Sequence, residues 1–310
     1  MLVFSCNQLT IELPTEHRFP MEKYALLDRA IEGISGIEVC RIKKATRQMI
    51  EKAHSKDYVQ KVYDGSLSQS EIEMLGFPWF PALLERSLYS VGCSVAAALE
   101  ATENQVSCSL AGGTHHAGYD YGAGFCIFND AAVASAVLLE KFPNISILIV
   151  DSDVHQGNGT AEMLKDNKSV FTFSIHSAKN YPHEKAVSDL DISLPDRTKD
   201  EEYLEIFHDA LEYSIDCAKP NVILFLSGAD IYERDKLGRL DITKLGVFQR
   251  DTLVFKKAEE FGIKVAAFMG GGYAPLIADI VEIHKSTVVS AFASWKKRAN
   301  KRNLKSSSEL

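Results

Sequence analysis

The chain has 310 residues, 46% of them hydrophobic and 25% charged, which is the composition of an ordinary soluble globular protein. Its net charge of −8 argues against direct nucleic-acid binding, because phosphate contacts require clustered Lys and Arg. No apolar run reaches the ~20 residues of a membrane span, and the N-terminus has neither the basic nor the long apolar segment of a signal peptide, so we expect no membrane association.

Short apolar, β-rich runs alternate with longer helical patterns along the chain. Predicted strands cover residues 1–5, 37–42, 106–110, 145–150, 170–175, 221–226 and 264–269. Predicted helices cover residues 81–103, 130–140, 201–218, 244–261 and 275–295. Strands that are apolar on both faces and separated by helices indicate an α/β fold with a mostly parallel sheet flanked by helices on both faces.

No linker rich in Pro, Gly or Ser divides the chain, so we predict a single domain over residues 1–295. Residues 296–310 are basic and then polar, and we expect them to form a frayed, solvated tail. The six cysteines are scattered without a CxxC pair, which is typical of reduced, buried thiols in a cytoplasmic protein.

Chemically active residues follow four of the predicted strands. The four segments are 111–120, 151–155, 227–230 and 270–273. Ligands bind beyond the carboxyl ends of the strands in open α/β sheets, and the amino ends of these strands carry nothing comparable. This edge of the sheet is therefore the predicted functional site.

Asp151, Asp153 and His155 are spaced two residues apart, so in an extended chain they share one face. Two carboxylates and an imidazole suit a divalent metal. Asp230, from another strand end, is a candidate for the third ligand of an Asp–His–Asp set with open positions for water and substrate. The alternative is an Asp/His loop that caps a helix beginning at residues 157–160.

The adjacent pair His115 and His116 lies in a Gly-flanked loop, where two neighbours do not both serve as core residues. Histidine titrates near neutrality, so the pair suits general acid–base catalysis. The glycines at 270–272 allow a close approach of the backbone to a ligand and present Tyr273, whose phenol is a proton donor at neutral pH.

Together, four ordered motifs resemble the histone deacetylase superfamily. They are GGTHHAGYDYGAGFCIFND (112–130), DSDVHQGNGT (151–160), SGADIYERDKLGRL (227–240) and GGGY (270–273). The similarity extends from the HRFP stretch at 17–20 to about residue 290, and it is greatest to the class IV and bacterial class-IV-like branch. The resemblance implies an arginase/deacetylase fold and metal-dependent removal of an acyl group from an amine, such as the lysine side chain of a protein.

The resemblance also implies a role for each matching residue. Asp153, His155 and Asp230 would bind zinc, with iron(II) as the alternative. Asp151 would orient His115, while His116 would take a proton from the attacking water and return it to the leaving amine, with His115 assisting. Tyr273 would polarise the acyl carbonyl together with the metal.

An acyl-lysine tunnel and a second cation site are further implications. Gly124 and Phe125 would line one side of the tunnel, with Tyr181 opposite Phe125 and His17 nearby. A potassium site typical of the family would be built from several residues around the first metal. They are Asp151, Asp153, His155, Ser174 and Ile175.

Three positions bear on how closely the family pattern is followed. Asn158 stands where class I enzymes have Asp, so the pKa of His116 should be raised less and the ring should stay neutral. Residues 71–80 show no clear equivalent of the acidic rim residue that grips the substrate backbone in class I and II enzymes. Cys126 is either a small buried hydrophobe or a redox-active thiol near the metal.

Two other functions are considered. A binuclear ureohydrolase of the same fold needs further carboxylates where this chain has Gly157 and Tyr232, so the second metal would lack ligands. A non-catalytic acyl-lysine-binding module would not require His115, His116 and Tyr273. The substrate stays open between acyl-lysine proteins and small acylated amines such as acetylpolyamines, with an acetyl or longer acyl group.

Overall fold

The computed structural model describes residues 1–6, 11–14 and 16–308, with side chains through Lys301. One sheet of eight parallel strands has the order β2-β1-β3-β8-β7-β4-β5-β6. The strands are β1 (Leu2–Ser5), β2 (Glu38–Arg41), β3 (Val106–Ser109), β4 (Ile147–Asp151), β5 (Val170–Ser177), β6 (Leu190–Leu194), β7 (Val222–Ser227) and β8 (Lys264–Met269).

Helices cover both faces of the sheet. They are α1 (Glu22–Glu32), α2 (Arg47–Ile50), α3 (Lys56–Asp64), α4 (Gln69–Leu75), α5 (Pro81–Asn104), α6 (Asp130–Lys141), α7 (Asn158–Leu164), α8 (Asp200–Ala218), α9 (Lys244–Glu260) and α10 (Ile277–Ser308). Helices α1, α8, α9 and α10 pack on one face, and α2 to α7 contribute to the core on the other. The predicted single-domain α/β architecture is confirmed.

Alternation along the inner strands explains why the centre of the sheet is buried on both faces. In β7, Ile223 and Phe225 point into the core beneath α8 and α9, whereas Leu224 and Leu226 point into the core beneath α5 and α6. Each such buried side chain contributes about 1.5–3 kcal/mol through removal of apolar surface from water. The sequence therefore shows continuous apolar runs rather than a half-polar alternation.

All seven predicted strands are present, but β6 was not predicted. β6 is an edge strand of five residues, LDISL, and four of its side chains are only partly buried or exposed. Because Asp191 and Ser193 interrupt its apolar residues, β6 does not form an apolar run in the sequence. The short amphipathic helices α1 to α4 were missed for the same reason, although Ser55 and Ser68 cap α3 and α4 in the usual way.

The C-terminal segment differs from the prediction. Helix α10 continues past residue 295, and Lys297 and Lys301 both pair with Glu259 on α9, at 3.0 and 2.6 Å. Arg298 is buried and donates Nη1–H to the carbonyl of Ile263 at 2.6 Å. The prediction of a frayed, solvated tail is therefore wrong for residues 296–301, because positions four apart on the helix face α9.

All six cysteines are free thiols. Cys6, Cys93, Cys108 and Cys126 are buried, but Cys40 is half-buried and Cys217 is exposed, so the prediction of buried thiols is correct for four of the six. None of the helices in the described part of the chain is long and apolar enough to cross a bilayer.

We predict that Arg298→Ala lowers the free energy of unfolding by about 1–3 kcal/mol, because the buried carbonyl of Ile263 loses its donor. Urea denaturation of the variant measures the change. Lys296→Ala, at an exposed position of the same helix, is the control and should change stability by less than about 0.5 kcal/mol. Equal stability of the two variants would show that this contact does not stabilise the fold.

Candidate active site

The four strand ends that carry the predicted site residues lie side by side. Strands β3, β8, β7 and β4 are consecutive neighbours in the sheet, and all run parallel. Their carboxyl ends therefore open onto one edge, although their sequence positions span more than 150 residues. Strands β3 and β4 are consecutive in the chain but lie at opposite sides of this group, with β8 and β7 between them. Such a change in strand order leaves a crevice at the carboxyl ends, where open sheets bind ligands.

The segment after β4 is bent rather than extended. The backbone N–H of Asp153 donates to Asp151 Oδ1 at 3.2 Å, and that of His155 donates to Asp153 Oδ1 at 3.0 Å. The three side chains lie close together as predicted, but the predicted reason, an extended chain, is wrong. Carboxylates that accept hydrogen bonds from the following backbone gather them instead.

Asp153, His155 and Asp230 form a buried cluster whose ligand atoms all lie within 4.8 Å of one another. His155 Nδ1 lies 3.0 Å from Asp153 Oδ1 and 3.2 Å from Asp230 Oδ2. Burial, together with the charge of Asp153, raises the pKa of Asp230 to about 7. Two crowded carboxylates and one imidazole fit a divalent ion such as zinc or iron(II), which would relieve this repulsion.

Backbone N–H groups hold the two carboxylates in place. Gly271 donates to Asp153 Oδ2 at 2.7 Å, and Val154 donates to Asp230 Oδ1 at 3.0 Å. A Cβ on Gly271 would lie 2.0 Å from Asp230 Oδ2, so only glycine fits at this position. The second glycine of the GGGY motif thus allows the direct contact between backbone and carboxylate.

The two histidines of the 115–116 pair have different partners. His115 Nδ1 lies 2.6 Å from Asp151 Oδ2, and His116 Nδ1 lies 2.8 Å from Asn158 Oδ1. The amide oxygen accepts, so His116 carries its proton on Nδ1 and leaves a lone pair on Nε2. Burial, followed by the charges of His115 and His155, keeps the pKa of His116 well below its ordinary value. A neutral His116 agrees with the expectation drawn from Asn158.

The start of α7 packs directly against these histidines. A Cβ on Gly157 would lie 2.2 Å from Asp151 Oδ2, and one on Gly159 would lie 2.1 Å from the carbonyl oxygen of Ala117. No side chain caps α7, so the alternative in which the aspartates serve as helix caps is not supported. Asn129 restrains the segment that carries His115 and His116, because its Nδ2–H donates to the carbonyl of Ala117 at 3.1 Å.

Tyr273 is positioned by a residue that the sequence analysis missed. Asp235 Oδ2 accepts the backbone N–H of Tyr273 at 2.6 Å, while its Oδ1 accepts those of Leu237 and Gly238. Burial and the charges of Asp153 and Asp230 hold the pKa of the Tyr273 phenol well above its ordinary value. Asp235 could have been noticed in the sequence, because it lies five residues after Asp230 within the motif SGADIYERDKLGRL (227–240).

Asn180 is a second missed residue. Its Nδ2 donates to the carbonyl of Leu237 at 2.6 Å and lies 3.3 Å from His155 Nε2, on the side of the ring away from Asp153. The amide thus restrains the His155 ring. It immediately precedes Tyr181, which is the residue that the sequence did single out.

Arg250 on α9 joins two of the site loops. Its fully buried guanidinium donates to the carbonyls of Ser152, at 3.1 Å, and Gly228, at 2.8 Å. Its charge is paired with Asp251 at 2.7 Å. Because Ser152 precedes Asp153 and Gly228 lies two residues before Asp230, Arg250 fixes the spacing of the loops that carry both carboxylates.

The predicted tunnel residues line an aromatic passage to the surface. Gly124, Phe125, Tyr181 and His17 all border the outer, solvent-open cavity, which we call the mouth. The Tyr181 ring packs edge-on against His116 at 4.8 Å between centroids, and the His17 ring stacks on Phe77 at 5.2 Å. Phe19 and Phe77 extend this aromatic wall and were not predicted.

Glu73 and Ser174 bear on the expected rim residue and the expected potassium site. Glu73, within the stretch 71–80, borders the mouth together with Glu16. The expectation that this stretch lacks a clear equivalent of the acidic residue that grips the substrate backbone stays a prediction. Ser174 lies beside Asp151 in the sheet register, but its hydroxyl is 3.0 Å from His176 Nδ1. Potassium binding by Ser174, Ile175 and their neighbours stays a prediction.

Comparison with known proteins identifies the family. The family model of the histone deacetylase domain matches residues 17–288. The chain belongs to the histone deacetylase family. An uncharacterized protein of Picosynechococcus sp. is 40% identical over 275 residues, covering 88% of this chain and 92% of that protein.

Other members of the family are more distant. Histone deacetylase 2 of Arabidopsis thaliana is 30% identical over 242 residues, covering 74% of this chain and 62% of that protein. The acetoin utilization protein AcuC of Staphylococcus aureus is 28% identical over 290 residues, covering 86% of this chain and 72% of that protein. The class-IV-like branch stays a prediction.

Solved structures agree in fold. The crystal structure of an HDAC homolog from Aquifex aeolicus superposes with a TM-score of 0.80 at 23% identity, covering 94% of this chain and 83% of that chain. An HDAC homolog complexed with SAHA superposes with a TM-score of 0.78 at 22% identity, covering 96% of this chain and 88% of that chain. The predicted fold of this histone deacetylase family member is thereby confirmed.

We predict that the protein binds one divalent ion per chain. Asp230→Asn should weaken metal binding by more than about a hundredfold, because loss of a ligand costs more than the roughly 10–100-fold that loss of a ligand-orienting residue costs. Calorimetric titration of metal-free protein with Zn²⁺ measures both quantities. Asp216→Asn, at an exposed position on α8, is the control. Unchanged affinity in Asp230→Asn would rule out the Asp–His–Asp set as the metal site.

We also predict that Asp235→Asn lowers kcat about tenfold while leaving Zn²⁺ affinity unchanged, because the backbone N–H of Tyr273 loses its carboxylate acceptor. Steady-state kinetics and metal titration of the same preparation measure the two effects. Glu233→Gln, exposed in the same stretch, is the matched control. Parallel loss of metal affinity and kcat would instead make Asp235 a support of the metal site.

Proposed function

We propose that the protein is a metal-dependent deacylase that hydrolyses the amide between an acyl group and an amine, such as a lysine side chain. One observation supports this most strongly. A neutral His116 with a free Nε2, the Tyr273 phenol and the Asp153–His155–Asp230 set all border one cavity or lie directly beneath it. These are the groups that amide hydrolysis by an activated water requires.

Each residue has a defined task in this proposal. Asp153, His155 and Asp230 would hold the divalent ion, which when bound lowers the pKa of water and polarises the amide carbonyl. His116 Nε2 accepts a proton from the attacking water and later gives it to the leaving amine. Tyr273 donates its O–H to the oxygen on which negative charge develops.

His115 and Asp151 support this proton transfer. The 2.6 Å contact between His115 Nδ1 and Asp151 Oδ2 fixes the His115 ring beside that of His116, at 4.2 Å between centroids. Coulomb attraction to Asp151 and Asp153 overcomes burial and raises the pKa of His115 to about 9. A charged His115 favours a neutral His116, because its charge lowers the pKa of the neighbouring ring.

The two other functions have less support. Among the described residues, Asp153, His155 and Asp230 form the one group suited to a metal ion, so a binuclear ureohydrolase would lack the second set. A non-catalytic binding module would have no use for a buried histidine whose lone pair faces the site. A cytoplasmic location stays a prediction from the sequence.

The mouth bears on the choice between a protein lysine and a small acylated amine such as an acetylpolyamine. It carries both signs of charge: Glu16 and Glu73 are acidic, whereas Arg18, Lys179 and Arg239 are basic. A purely acidic rim, which a polycationic amine would favour, is not seen among these residues. This mixed rim favours an acyl-lysine within a polypeptide over an acetylpolyamine.

Turnover of acyl-lysine peptides by protein reconstituted with Zn²⁺ or Fe²⁺ tests the proposal. We expect Tyr273→Phe to lower kcat about 10²–10³-fold, the usual effect of removing one donor to a developing oxyanion. Tyr119→Phe, with an exposed ring in the segment that carries His115 and His116, should keep the wild-type rate. No hydrolysis of any acylated amine by metal-loaded wild type, or full activity of Tyr273→Phe, would refute the deacylase mechanism.

A further inference from the structure

The candidate site lies between two cavities. The mouth opens to solvent, and an inner cavity extends from the site into the space between α1 and α5. Both cavities are bordered by the same five residues, namely His116, Gly124, Phe125, His155 and Tyr273. If the proposed function is correct, the scissile carbonyl lies at this junction, with the amine stem in the mouth and the acyl chain in the inner cavity.

The inner cavity is small and carries two buried cations. Its volume is about 70 Å³, several times what one water needs. Lys23 on α1 and Arg86 on α5 border it, and they are only 3% and 6% exposed. Buried charges are costly unless they are paired, so their partners decide what the cavity is suited to hold.

Lys23 is already compensated in part. Its Nζ lies 3.4 Å from the carbonyl of Gly270 and about 5 Å from the Phe19, Tyr24 and Tyr273 rings, and the carboxylates of Asp230 and Asp153 attract its charge. The ammonium thus offsets part of the negative charge of the metal site. It still adds positive potential to the inner cavity.

Among the described residues, no carboxylate compensates Arg86. Its Cζ lies 4.3 Å from the Tyr24 ring centroid, and its other close partners in the described chain are the Tyr24 phenol and the thiols of Cys6 and Cys93. None of these offers the pair of oxygens that a guanidinium fork binds. No salt bridge to Arg86 is found among the described residues. Ser90, four residues later on the same face of α5, also borders the cavity and adds a hydroxyl donor.

An ordinary acyl chain would leave these donors unmatched. A hydrocarbon chain fits the apolar part of the wall, formed by Phe19, Leu83 and Val91, but it gives Arg86 no acceptor. A chain that ends in a carboxylate fits both the apolar wall and Arg86. Its methylenes would lie along the wall, and its two oxygens would accept hydrogen bonds from the guanidinium. We propose that the inner cavity selects acyl groups that carry a terminal carboxylate, with Arg86 as the main anchor.

The substrates implied are amides of short dicarboxylic acids, such as succinyl-lysine and glutaryl-lysine. Hydrolysis breaks the C–N bond of the amide, adds the oxygen of water to the acyl carbon and transfers a proton to the leaving amine. The products are a free dicarboxylate and the amine. No reactant besides water is needed.

Matched pairs of acyl-lysine peptides test the selectivity on metal-reconstituted protein. Succinyl and succinamoyl chains have nearly the same shape and differ in that a neutral carboxamide replaces the carboxylate. We expect kcat/KM to be about tenfold to hundredfold higher for the succinyl peptide, the range that a charge-assisted hydrogen bond supplies. The Arg86→Met variant should lose this ratio, whereas Lys168→Met, an exposed cation outside both cavities, should keep it.

The ratio of two substrates on one preparation is independent of partial unfolding or incomplete metal loading. Hydrolysis of neutral acyl chains with no preference for succinyl would overturn this inference and leave the proposed function intact. No hydrolysis of any acyl-lysine would refute both. Equal inhibition by free acetate and free succinate, with no succinyl preference, would show that the cations only retain a carboxylate product, and this result too would overturn the inference.

Discussion

The structure depends on the burial of several negative charges at one edge of a parallel sheet. Asp151, Asp153 and Asp230 are all nearly inaccessible to water, and burial together with the charge of Asp153 raises the pKa of Asp230 to about 7. Such crowding is tolerated only where donors and cations surround the carboxylates. Backbone N–H groups, His115, His155 and Lys23 supply part of this compensation, and a divalent ion would supply the rest.

The scaffold that carries the charges is correspondingly rigid. Strands β3, β8, β7 and β4 are buried on both faces, and the loops after β4 and β7 are joined by the fully buried guanidinium of Arg250. The same positioning recurs at Tyr273, where Asp235 holds the backbone rather than the reacting side chain. Residues that touch no substrate therefore determine the distances between those that do.

Much of the sheet and of the candidate site could be predicted from the sequence. Apolar runs mark buried strands, and polar or ionisable residues directly after such runs mark the site. Seven of the eight strands and the residues His115, His116, Asp153, His155, Asp230 and Tyr273 were all found in this way. Asp235, Asn180, Arg250 and Arg86 were not, because their importance arises from partners far away in sequence. Strand β6 and the helical continuation through Arg298 were missed for a related reason, since polar residues there are buried or paired only by tertiary contacts.

The glycines around the site have a consequence for its electrostatics. At Gly157 and Gly271 a methyl group would come within 2.2 Å or less of an aspartate oxygen, so the backbone itself occupies the space in which a carboxylate would otherwise rotate or take up water. The charged groups therefore keep their orientation before any substrate arrives. Little reorganisation is left for the reaction step, and the field at the scissile bond is a property of the folded chain.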